Sequence, residues 1–142
     1  MNGAGMRVRR SIAFMLLLLC LAATGCGRGE DRDRATEVAE KFLQAIGAGD
    51  AAVACGLLAD DTRKALEDEE SKPCGEAIGG VQIEAGAPAA VELYLTNAKA
   101  DLDNGDSAFL SLTADGWRIS AAGCKAGDGP PAEAPMDCEL EA

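Results

Sequence analysis

The sequence predicts an α+β domain in which N-terminal helices pack on a curved, four-stranded antiparallel meander sheet. Three observations carry that expectation. Before Gly80 the apolar residues return every three or four positions, the period of a helix face; after Gly80 they return every second position, the period of a strand. The pairs Asn104-Gly105 and Asp115-Gly116 then divide the second region into hairpins. A sheet that is apolar on one face needs a cover, and the preceding helices supply it.

The chain opens with a segment of another kind. Arg7, Arg9 and Arg10 precede an apolar run from Ile12 to Ala23, the layout of an export signal over residues 1–25. The run is about a dozen residues, whereas a membrane-spanning helix needs roughly 20. Ser11 to Phe14 match a twin-arginine signal only loosely. Thr24, Gly25 and Cys26 resemble a bacterial lipobox, with Ala23 where leucine is commoner. That resemblance implies that Cys26 is acylated on sulfur and heads the mature chain, so membrane lipid is its first partner. The implied location is the extracytoplasmic face of the cell membrane. Each buried methylene contributes about 0.8 kcal/mol, and stable anchoring takes more than one acyl chain.

Residues 26–34 then read as the lipidated Cys and a flexible tether, because GRGEDRDR contains no apolar side chain and mixes both charges. A first helix follows from Ala35, Val38, Ala39, Phe42, Leu43 and Ile46, capped by Asp33 or Asp31 and ended by Gly47. Asp50 caps a second helix whose Val53, Leu57 and Leu58 face inward near Cys55. The third follows Asp60 and Asp61 and runs to about Glu70, with only Ala65 and Leu66 as apolar anchors. Pro73 begins a last short turn through Ile78, which Gly79 and Gly80 end.

The strands come next. VELYL sets Val91, Leu93 and Leu95 against Glu92 and Tyr94, and AKADLD sets Ala98, Ala100 and Leu102 against Lys99 and Asp101. Asn104-Gly105 suits a type I′ turn, whose two central residues need positive φ. SAFLSLT places Ala108, Leu110 and Leu112 on one face; after the turn at Asp115-Gly116, Trp117, Ile119 and Ala121 continue it. The domain therefore spans 35–124, and 125–142 is a tail pinned by a disulfide.

The four cysteines beyond Cys26, an even number in an exported chain, support disulfides. Three pairings are open in principle. Cys55 with Cys74 and Cys124 with Cys138 are favoured, since each pair closes a local loop worth about 3 kcal/mol in the chain-entropy model. A four-thiolate zinc site needs closely spaced pairs such as C-x-x-C, which these are not. Losing residues 1–25 leaves 10 basic and 24 acidic side chains, a formal charge of −14. No basic footprint for nucleic acid remains.

The order of three helices and then a curved antiparallel sheet resembles the NTF2-like (SnoaL-like, cystatin-like α+β) superfamily, and more narrowly small actinobacterial lipoproteins of that type. The resemblance rests on AEKFLQAIGAGDAAVACGLLADDTRKALE, on GDSAFLSLTADGWRISAAGC and on the tail PMDCELEA with Cys138. It implies a scaffold, a cone between sheet and helices, rather than a particular catalyst.

With no histidine in the chain, the commonest general base and zinc ligand are absent, as is every Ser-His-Asp mechanism. DLDNGD fails the EF-hand pattern, with Gly105 and Asp106 at its fifth and sixth positions and Leu112 at its twelfth. The run Glu67 to Glu70 reads as a solvated helix face. No catalytic residue, metal or cofactor is assigned. Tyr94 and Phe109, on the outer face with Glu92, Asp101 and Arg118, form the candidate partner patch. Two functions are consistent with these features. One is a lipid-anchored binding module for an envelope protein or a small apolar ligand. The other is a SnoaL-like isomerase, cyclase or hydrolase acting on an apolar molecule, which requires a one-residue register shift to turn Glu92 or Asp101 inward.

Overall fold

The computed structural model describes residues 26–127 and 136–142, so the export segment lies outside the described residues. Four helices, α1 (Cys26–Ala48), α2 (Ala51–Leu57), α3 (Asp60–Glu70) and α4 (Cys74–Ala77), lead into a 3-10 turn, Ile78–Gly80. Five strands follow: β1 (Pro88–Tyr94), β2 (Asn97–Leu102), β3 (Ser107–Thr113), β4 (Gly116–Lys125) and β5 (Asp137–Glu141). They form one antiparallel sheet in sequence order. The class is α+β, as the change of period from helical to alternating predicts.

Three boundaries differ from the expectation, each for a physical reason. The sheet has five strands, not four, because the tail pairs with β4 from Ala121↔Glu141 to Lys125↔Asp137. The tether is helical: α1 begins at Cys26. Glu and Arg are good helix formers, and extending a helix already nucleated costs far less than starting one. Asp31 and Asp33 are therefore interior to the helix, and Thr36 Oγ1 donates back to the Arg32 carbonyl at 2.8 Å. At the other end Gly49, not Gly47, terminates α1. Its φ of 70° and the bonds Gly49 N to Ile46 O and Asp50 N to Ala45 O make a Schellman ending.

Asp50 caps α2 as expected, its Oδ1 accepting from Val53 N at 3.1 Å. Ala54 and Leu58, one turn apart, are the residues this segment buries; Val53 is 45% exposed, contrary to expectation, because the helical phase turns it away. α3 buries Leu66 and also Thr62, a polar residue with a specific task described below.

The interior is formed by Phe42, Leu43, Ile78, Ala98, Ala100, Leu102, Leu110, Trp117 and Ile119, all under 6% exposed. Val91 and Leu93 pack partly against them. Leu95 and Leu112, also assigned inward, are 92% and 41% exposed. Leu95 is not in a strand: it opens the two-residue turn between β1 and β2 with φ of 56°. Leu112 lies one residue from the end of β3, beside the same turn through its N–H to the Thr96 carbonyl at 2.7 Å. The turn after β2 is longer than a type I′ pair, and of Asn104 and Gly105 only Gly105 has positive φ. Asn104 Oδ1 accepts instead from Asp106 N.

Both disulfides pair as expected. Cys55–Cys74 ties α2 to the start of α4, where Glu67 Oε1 also accepts from Cys74 N at 2.9 Å. Cys124–Cys138 joins residues directly opposite each other on β4 and β5. Peptide mapping of the unreduced protein is expected to link these pairs, with a four-hydrogen mass gain on reduction. Replacing Cys55 and Cys74 together by serine is expected to lower the unfolding free energy by about 3 kcal/mol in denaturant titration.

Candidate functional site

The outer sheet face can be read row by row from the strand register. One row runs Tyr94, Asn97, Ser111 and Arg118; the next runs Glu92, Lys99, Phe109 and Ala121. Tyr94 and Phe109 thus share a face but not a row. They stand two strand spacings apart, roughly 10 Å, and two positions out of step. Tyr94 is 55% exposed and Phe109 half-buried, so the patch is two separate aromatics with Lys99 and Asn97 on the strand between them.

Glu92 and Asp101 stay on this face. Asp101 is held by Lys99 Nζ at 2.7 Å and by the Ser107 hydroxyl, which donates at 2.9 Å. The hydrogen bond from Lys99 brings its carboxyl below the ordinary carboxylate range, against an opposing effect of burial. Glu92 Oε2 accepts a hydrogen bond from the Tyr94 hydroxyl. No register shift turns either acid inward, and the interior they would have entered is filled by the apolar side chains named above.

The second component of the site was not foreseen. A cleft of about 530 Å³ opens where the outer face of β3 and β4 meets the α2–α3 junction, lined among others by Asp61, Thr62, Ser111, Asp115, Arg118 and Ser120. It is produced by a bulge. Phe109 pairs with Ala121 but Leu110 with Ile119, so Ser120 has no partner on β3. The carbonyls of both Ile119 and Ser120 are taken by the helical layer, from Ala59 N at 2.8 Å and from Thr62 Oγ1 at 3.0 Å. Side chains from two layers are thereby brought around one opening. A smaller hollow of about 200 Å³ beside Ala45, Ala54 and Val81 has Asp50 as its charged lining residue, already engaged as the α2 cap.

Several groups in the larger cleft are already engaged. Asp60 pairs with Arg63 at 2.9 Å, Ser111 donates to Asn97 Oδ1, and Thr113 donates to the Gly116 carbonyl. Arg118 spends one N–H on the Trp117 carbonyl at 2.9 Å and makes no ion pair among the described residues, although Asp61 and Asp115 line the same opening. Periodicity assigns Arg118 to the outer face, but only the bulge and the helix junction make a cleft of it.

The backbone of Cys26 begins α1, and its side chain lies outside what is described. No group of three or more potential metal ligands occurs among the described residues. No family model, no curated protein and no solved structure matches the chain.

The chain has a single tyrosine, so absorbance titration reads Tyr94 alone. Donating to Glu92 favours the neutral phenol and raises its pKa above the ordinary value. The stabilising contribution is therefore complete below the ordinary phenol pKa and is lost as pH rises through the raised one. Glu92→Gln is expected to move the titration midpoint down; an unchanged midpoint would show that the hydrogen bond is not maintained in solution.

Proposed function

We propose that this protein is a lipid-anchored, extracytoplasmic binding module on an NTF2-like scaffold, held to the membrane through acylated Cys26, and that its ligand or envelope partner meets the outer sheet face. One observation carries the choice of face. The sheet buries its apolar side against α1, α3 and the α4 turn, while the opposite side presents Tyr94, Phe109 and the Arg118 cleft. Single exposed apolar residues need no explanation, but two aromatics and a charged cleft on one uncovered sheet face concentrate the side chains that mark recognition surfaces.

The alternative, an enzyme with a buried acid in the cone, depended on Glu92 or Asp101 pointing inward. Both lie on the outer face, Asp101 bonded to Lys99 and Ser107. No described helix is long and apolar enough to cross a membrane. Anchoring in this proposal comes from lipid, since a chain with 24 acidic residues is repelled by an anionic bilayer.

Two measurements test the proposal. Cys26→Ser is expected to abolish partitioning into the detergent phase, and unchanged partitioning would remove the lipid anchor from the account. A photo-crosslinking side chain placed at Tyr94 or Phe109 is expected to capture a partner in intact membranes, while the same group at Lys41, on the exposed side of α1, does not. Equal capture from all three positions would sink the choice of face.

A further inference from the structure

Around the α2–α3 junction and the outer face of β4 stand three charged side chains, Asp61 and Asp115 exposed and Arg118 half-buried, that have no charged partner among the described residues. Asp61 stands in the first turn of α3, Asp115 in the β3–β4 turn and Arg118 on β4; all three line the 530 Å³ cleft. Among the described residues none of the three makes a salt bridge or a side-chain hydrogen bond to another charged group. Their neighbour Asp60 is neutralised by Arg63 at 2.9 Å, so the lining does not simply avoid pairing. The volume lies within the range of small-ligand sites, roughly 300–1,000 Å³.

The charges define what would fit. Arg118 has four N–H groups beyond the one given to the Trp117 carbonyl, enough for a two-point contact with a planar carboxylate. Asp61 and Asp115 accept from donors or cations. With Asp60 answered by Arg63 just outside the lining, the remaining charged side chains of the lining are one positive and two negative, a net side-chain charge of −1, and the backbone of Ala142 closes the same opening. A purely anionic ligand would gain Arg118 but meet two carboxylates. A purely cationic one would leave Arg118 facing its own charge sign. We propose that this cleft binds a short basic peptide, or a basic amino acid, with a free carboxylate: the carboxylate seats on Arg118 and the ammonium groups on Asp61 and Asp115.

This inference rests on the reading of the outer face as the ligand face but not on the lipid anchor. It stands if Cys26→Ser leaves partitioning unchanged, and it is decided by a peptide titration alone.

The probes are lysyl-lysyl-lysine with a free carboxylate, the same peptide as its C-terminal amide, and triglutamate, each titrated calorimetrically into the full-length protein in non-ionic micelles. The free acid is expected to bind, the amide about tenfold more weakly, and triglutamate not at all. Amidation raises the peptide's positive charge, so diffuse attraction to an acidic protein would make the amide bind more tightly, the opposite order. Arg118→Gln is expected to erase the difference between acid and amide. Asp61→Asn with Asp115→Asn is expected to weaken both peptides alike, with circular dichroism showing each variant folded. Equal or tighter binding of the amide by the unaltered protein, or no trilysine binding at millimolar concentration, would overturn the proposal without reference to any variant.

Discussion

The fold depends on what β4 does along its two halves. Its later half, from Ala121 to Lys125, pairs with β5, leaving the earlier half with an open side. There the chain leaving α2 takes the place of a strand: Leu58 bridges Ile119 in parallel, Ala59 N donates to the Ile119 carbonyl, and Thr62 Oγ1 donates to that of Ser120. Consecutive carbonyls of a regular strand point to opposite neighbours, so one neighbouring segment can donate to two in succession only where the strand is bulged. Ser120 supplies that bulge. An edge that would otherwise expose backbone groups is closed by the helical layer itself, which also fixes where the helices sit.

The disulfides act at either side of this junction. α3 buries just Thr62 and Leu66, too little apolar surface to hold eleven residues by packing alone. Cys55–Cys74 brackets α3 in a 19-residue span, so the helix is held from both ends. Cys124–Cys138 pins the start of β5 to β4, a strand of five residues with Leu140 as its one buried side chain. Both bridges thus lie where the core is thinnest, in keeping with the small share of surface that a domain of this size can bury.

Local patterns were legible in the sequence, and long-range ones were not. The Asp50 cap, the extent of α3, the span of β3 and both cysteine pairings each depend on residues close in the chain. β5 was missed because DCELE is short, charged at three of its five positions and stabilised by a ladder to residues distant in sequence. Alternation placed Leu112 on the correct face but could not say how far the helical cover extends, and it carried Leu95 one residue beyond the end of its strand. The cleft could not be read at all. It needs the bulge at Ser120 and the hydroxyl of Thr62 together, and neither leaves a periodic signature.

The interior and the outer face of the sheet differ in the room they leave for a ligand. A sheet packed on helices can either leave a hollow between the layers or fill it, and Phe42, Leu110, Trp117 and Ile119, each 3% exposed or less, fill it here. A ligand entering would have to displace side chains packed at crystal-like density, at a cost of several kcal/mol. The outer face has no such cost, and there the register sets Arg118 beside Ser111 while the bulge draws Thr62 and the start of α3 against the same strand. Thr62 is therefore a positioning residue for the cleft: fully buried, its hydroxyl tied to β4, it fixes the start of α3 and with it Asp61 at the opening.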